Sequence, residues 1–156
     1  MVSALCRTSL LLLVLLAAPA LRAQREKLPS DDLEIVEKTW PNAKKTNTGI
    51  RYIVEREGQG DVAQPGDMVS VVYVGTLLDG RIFDKISNPS RPFTFRLGRD
   101  VVIQAWDDIL ERMKKGERRL VIVPPEMGYG TRGMPPRIPR DATLVFEMEL
   151  VEIKRE

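Results

Sequence analysis

Val69-Ser70-Val71-Val72-Tyr73-Val74-Gly75-Thr76-Leu77-Leu78-Asp79-Gly80-Arg81-Ile82-Phe83 is the stretch that decides the fold. Val69, Val71 and Tyr73 alternate with Ser70 and its neighbours, the period of a strand with one buried face. Asp79-Gly80 then falls between Leu77 and Phe83. Asp-Gly between apolar runs is the strongest short hairpin signal in the chain. Strand signals continue on either side. Ile50, Tyr52 and Val54 alternate with charged residues until Gly58-Gln59-Gly60 breaks the run. Phe93, Phe95 and Leu97 alternate with Thr94 and Arg96 until Gly98. Arg119, Val121 and Val123 take one face, Leu120 and Ile122 the other, up to Pro124-Pro125. Leu144, Phe146, Met148 and Leu150 alternate with Val145, Glu147, Glu149 and Val151, which predicts a wet outer face. One helix interrupts the strands. Val102, Trp106, Ile109, Leu110 and Met113 form its apolar face, Lys114 and Lys115 suit its C-terminal dipole, and Gly116 is the predicted C-cap. Residues 128–139, rich in Gly and Pro, read as a long loop. Five strands, one helix and no βαβ rhythm predict an α+β domain with a twisted, mostly antiparallel sheet.

Composition narrows the chemistry. The chain has 156 residues, 43% hydrophobic and 29% charged, with one Cys and no His. Without imidazoles, and with a single thiol, most metal chemistry is removed, since soft and borderline sites need imidazole or thiolate, and so are His-based triads and CxxC redox centres. A formal charge of +2 lacks the basic face that phosphate tracking needs, so nucleic acid is not an expected partner.

The N-terminus has its own logic. Arg7 precedes an uninterrupted apolar run from Leu10 to Ala18, and Ala18-Pro19-Ala20 and Ala23 offer small residues for a signal peptidase. Such a run is too short for a ~30 Å hydrocarbon core, so a cleaved signal over residues 1–23 is expected before an uncleaved anchor. Cys6 lies within it. The exported chain then has no cysteine and balanced charge, in the periplasm, the medium or an ER lumen. Residues 24–48 read as a polar arm and linker. Asp31 with Glu34 forms a capping-box pattern, and Leu33, Val36 and Trp40 recur at near-helical spacing before Pro41. Such a helix either docks on the domain of residues 49–156 or binds a partner.

Catalytic carboxylate pairs find little support. Asp107 and Asp108 are adjacent and cannot face one cleft, and Glu147 and Glu149 fall on the outer face of a strand. The basic run Arg112, Lys114, Lys115, Arg118, Arg119, interleaved with Glu111 and Glu117, reads as a solvated helix end. The chain has only nine aromatic residues. Tyr73, Phe83, Phe93, Trp106, Tyr129 and Phe146 sit on separate elements, as core or as a binding pocket.

Val71-Val72-Tyr73-Val74-Gly75 followed by Leu78-Asp79-Gly80-Arg81-Ile82-Phe83-Asp84 closely resembles the second-strand and hairpin motif of FKBP-type peptidyl-prolyl cis–trans isomerases. The resemblance continues through Pro92-Phe93-Thr94-Phe95, Leu97-Gly98, Val102-Ile103-Gln104-Ala105-Trp106 and Met113-Lys114-Lys115-Gly116-Glu117. It ends with Tyr129-Gly130, Ile138-Pro139 and Ala142-Thr143-Leu144-Val145-Phe146, covering about Gly49 to Val151 in the family's order. It implies a five-stranded sheet curled around one short helix. It also implies an isomerase pocket in which Tyr73, Phe83, Asp84, Phe93, Trp106, Tyr129 and Phe146 are the catalytic residues, with Trp106 as the floor. Val102, Ile103, Met134 and Ile138 would bind substrate, the Ile103 backbone N–H meeting a carbonyl. The implied partners are proline-containing, unfolded or flexible polypeptides, with rapamycin-type macrolides as inhibitors. No metal or other cofactor is implied, and no permanent membrane span is expected. The chain departs from the family at Ser87-Asn88-Pro89, where an arginine commonly pairs with the pocket aspartate. It departs also at Val101, where several members carry a carboxylate, and at the loop tip Gly133-Met134-Pro135-Pro136-Arg137. A non-catalytic peptide-binding or chaperone module on the same fold is the competing reading.

Overall fold

The computed structural model describes residues 25–155, so the leader predicted over residues 1–23 lies outside the described residues. Nine strands and two helices are present: α1 Ser30–Thr39, β1 Lys44–Lys45, β2 Arg51–Arg56, β3 Gln59–Val62, β4 Met68–Leu77, β5 Ile82–Ile86, β6 Phe93–Arg96, α2 Gln104–Leu110, β7 Lys114–Lys115, β8 Arg118–Val123 and β9 Leu144–Lys154. Seven strands form one antiparallel sheet in the order β1-β2-β8-β9-β4-β5, with β6 also paired to β4, while β3 and β7 form a separate ribbon. Among the described residues, no helix is long and apolar enough to cross a membrane.

β4 is the spine. Val69, Val71, Tyr73, Gly75 and Leu77 point to the buried face, the period read from the sequence. The Asp79-Gly80 hairpin forms as expected: Gly80 has φ +85°, and the Leu77 and Arg81 ends are joined by a 3.0 Å N–H···O bond. The concave face closes over α2, whose Ala105, Trp106, Ile109 and Leu110 are buried with Val121, Val123, Phe146, Met148 and Leu150. Burying a large apolar side chain contributes about 1.5–3 kcal/mol, so this face dominates the stability.

The helix is shorter than its apolar spacing predicts. α2 ends at Leu110, and Gly116 is not its C-cap. The chain instead turns twice. Met113 donates its N–H to the Leu110 carbonyl, and Gly116, at φ +80°, donates to Leu150 at 2.7 Å in the link between β7 and β8. Met113 is still fully buried, so the apolar spacing reported burial without reporting helix. Nor is the basic run beyond it a solvated helix end throughout. Glu117 and Arg119 are a buried ion pair, with Arg119 also donating to the Arg112 carbonyl and lying 4.6 Å from the centre of the Tyr52 ring. The pair is retained inside because both charges find further partners, Glu117 accepting the Lys114 N–H.

The segment before residue 49 packs against the domain. α1 forms, but from Ser30 and without a side-chain cap. Asp32 instead accepts a 2.6 Å bond from the Thr143 hydroxyl. Leu28 and Val36 bury against Ile122 and Val145 on the back of the sheet. Val145 is therefore dry, and the outer face of β9 is wet only beyond it, at Glu147. The expected linker also carries structure, since β1 pairs with β2 and Thr46 is buried. Glu26 anchors this end. Partial burial would raise its carboxyl, but hydrogen bonds from Lys45, the Leu28 and Lys27 backbone and Arg51 outweigh that and hold it at about 2.

Candidate functional site

At the open end of the concave face lies a cavity of about 370 Å³, lined by Tyr73, Phe83, Asp84, Ile86, Phe93, Val101, Val102, Ile103, Trp106, Tyr129 and Phe146. Its shape starts with a register break. Gly75 pairs with Asp84 and Thr76 with Ile82, so Phe83 is the extra residue of a bulge. Asp84 and Ile86, opposite Gly75 and Tyr73, thereby share the cavity face with Phe83. Gly75 makes room for them. A Cβ there would stand 2.6 Å from Phe83 Cζ and 3.0 Å from Phe146 Cε1, closer than side chains approach.

The rings pack edge to face around Trp106, which is 4% exposed. Its centroid lies 4.7 Å from that of Tyr73, 5.4 Å from Phe146 and 6.2 Å from Phe93, while Phe83 meets Phe146 at 5.6 Å. Such pairs add about 0.5–1.5 kcal/mol beyond burial and fix ring orientation, so the walls are set before any ligand arrives. α2 presents Trp106 because the chain enters it in extended geometry at Ile103, whose carbonyl accepts the Trp106 N–H at 2.9 Å. The Ile103 N–H itself has no hydrogen-bond partner among the described residues.

Polar groups are few. The Tyr73 hydroxyl donates to Asp84 Oδ2 at 2.6 Å, and Asp84 Oδ1 accepts the Lys85 N–H at 2.9 Å. Those two bonds orient Asp84 where family members commonly use an arginine; residues 87–89 make no bond to it. Burial pushes the Tyr73 phenol far up, and the Asp84 hydrogen bond and charge push it further. Burial raises Tyr129 as well, with Asp84 adding to the effect and Arg137 opposing it. Both phenols therefore stay neutral through the physiological range.

Nine of the eleven residues singled out from the sequence come together here. Met134 and Ile138 do not line the cavity. Ile138 is fully buried in the main core with Met134 packed against that core, and the two exchange backbone bonds of 2.9 and 3.0 Å that close the loop. Ile86 was missed, although continuing the alternation two residues beyond Asp84 would have found it. Val101 contributes to the rim as an exposed aliphatic side chain.

The family model described as FKBP-type peptidyl-prolyl cis-trans isomerase matches residues 60–151. The Dictyostelium discoideum protein named FK506-binding protein 1 is 41% identical over 106 residues, which are 68% of this chain and 99% of that one. The human peptidyl-prolyl cis-trans isomerase FKBP4 is 42% identical over 135 residues, 86% of this chain but 28% of its own. The chain thus spans only about a quarter of that longer relative. Among solved structures, a peptidyl-prolyl cis-trans isomerase from Pseudomonas syringae pv. tomato superposes with a TM-score of 0.70 at 32% identity, covering 80% of this chain and 92% of its own. With the family model spanning more than half of the sequence and the fold shared as well, the chain belongs to the FKBP-type peptidyl-prolyl cis–trans isomerase family.

Proposed function

We propose that the protein accelerates cis–trans isomerisation of X–Pro bonds in flexible polypeptides, after export from the cytoplasm. The observation that carries this reading is the cavity itself. It is ring-walled, large enough for a prolyl ring, and equipped with one oriented carboxylate and a free backbone donor. The leader-like residues 1–23 support the export half.

The chemistry needs no nucleophile. Rotating a planar amide costs ~18–20 kcal/mol because resonance is lost, and the twisted transition state carries less charge separation than the planar ground state. A dry aromatic cavity disfavours the polar planar form relative to the twisted one, which is catalysis by differential binding. The prolyl ring would rest on Trp106 between Tyr73, Phe93 and Phe146. The Ile103 N–H would hold a substrate carbonyl, while Asp84, fixed by Tyr73, faces the rotating amide. Uncatalysed isomerisation takes ~10–100 s, slow enough to limit folding of client chains. Rapamycin-type macrolides would compete for the same cavity.

A chymotrypsin-coupled assay on an Ala-Leu-Pro-Phe peptide tests the reading. The protein should accelerate isomerisation, and a Trp106→Leu variant that remains folded should lose at least tenfold in catalytic efficiency and in macrolide affinity. Binding without acceleration would make the domain a peptide-binding module. A folded Trp106→Leu protein indistinguishable from the parent would remove the site assignment.

A further inference from the structure

Among the described residues some arginines meet carboxylates, while others, Arg25 of the N-terminal segment included, do not. Arg51, Arg56, Arg112 and Arg118 each meet a carboxylate at 2.6–3.1 Å. Arg91, Arg99, Arg132, Arg137 and Arg140 are exposed, and their side chains have no hydrogen bond or ion pair among the described residues. All five lie outside the strands on two segments, residues 87–101, which include β6, and residues 128–141. Those same segments supply Phe93, Val101 and Tyr129 to the cavity. Their acidic residues are Asp100 and Asp141, so with Arg96 counted the two segments carry a net charge of +4 in a chain whose residues 24–156 are balanced.

The backbone that carries these cations is tied down by hydrogen bonds. Gly133 donates to the Tyr129 carbonyl at 3.0 Å, Asp141 donates to Gly130 at 2.9 Å, and Met134 and Ile138 bridge the loop between them. Arg91 is carried on a turn closed by its own N–H to the Asn88 carbonyl at 2.9 Å. Arg137 is near enough to Tyr129 for its charge to act on the phenol. Unpaired guanidiniums on segments that border a low-dielectric opening project a positive field outward. Such a field concentrates anionic ligands and accelerates their encounter.

Resting on the isomerase reading above, we propose that the preferred substrates are acidic polypeptides, with Asp or Glu side chains within a few residues of the proline. The carboxylates sit outside the cavity, against the loop arginines, because the interior already holds Asp84. Guanidinium forks match carboxylates in two parallel bonds, which gives register as well as attraction.

The test compares two peptides of equal length around one Leu-Pro core, one flanked by Glu and the other by Gln, using NMR exchange with the full chain. At about 20 mM salt the Glu peptide should be turned over about tenfold more efficiently. At about 0.5 M salt, where the Debye length shrinks to a few ångströms, the advantage should fall below about twofold. The variant with Arg91, Arg99, Arg132, Arg137 and Arg140 all replaced by Gln should bring the Glu peptide down to the Gln peptide and leave the latter unchanged. Equal efficiencies in the parent, or a preference that survives in this variant, would overturn the proposal. If neither peptide is turned over, the isomerase reading fails instead, and calorimetric affinities of the same two peptides still decide the charge preference.

Discussion

The two faces of the sheet are built from the same strands and do different work. On the concave face, β4 and β9 turn Tyr73 and Phe146 toward α2, and aromatic rings meet with space left between them. On the back face, the intervening residues Ile122 and Val145 meet Leu28 and Val36 of the N-terminal segment in a closed aliphatic layer. Beyond that layer the back is a ladder of ion pairs, Arg118 with Glu55 and Glu147, and Arg56 with Glu149. Exposed pairs of this kind contribute about 0–1 kcal/mol each. Alternation along a strand therefore separates function from support: a change at one residue reaches the cavity, and a change at its neighbour reaches only the packing behind it.

Gly75→Val should break that comparison most severely. A side chain at this position enters the space of Phe83 and Phe146, both cavity walls. Overpacking costs about 1–3 kcal/mol, and the displaced rings should reduce activity by more than tenfold even where the protein remains folded. Thermal melting and the prolyl-peptide assay, run on one sample, separate the two effects. Val36→Ala should show the opposite pattern with a smaller effect. Val36 is fully buried on the back face, so its truncation should lower stability by about 1–2 kcal/mol while leaving catalytic efficiency below the melting transition unchanged. An activity loss as large as that of Gly75→Val would mean that the two faces are not independent.

The sequence made the concave face legible and left the back face largely hidden. The β4 alternation and the Asp-Gly turn are local signals, and they reappear as read. The gathering of six rings around one cavity is not local, and it was reached only through the resemblance of ordered motifs. The Phe83 bulge explains why: it breaks the period of two that would otherwise have turned Asp84 away from Tyr73. The sequence leaves α1 two options, docking on the domain or binding a partner, because nothing in its polar residues says which surface its apolar stripe meets. Burial of Glu117 and Arg119 was invisible for a similar reason. Their charges signal solvent unless the Arg112 carbonyl and the Lys114 N–H are known to be waiting inside. Met134 and Ile138 rest on the resemblance alone; outside the cavity lining, Ile138 secures the loop to the core.

Proton-transfer catalysis and conformational catalysis differ in one measurable respect. General acid–base catalysis needs a group titrating near the working pH. Tyr73 and Tyr129 are both raised by burial, so each keeps its proton below the usual phenol value. Twisting an amide in an apolar cavity moves no proton. NMR exchange on a neutral prolyl peptide, measured from pH 5.5 to 8.5, therefore tests the central claim most directly. The account predicts acceleration at every point, with catalytic efficiency constant within about a factor of two. No acceleration, or a bell-shaped profile centred near neutrality, would contradict it.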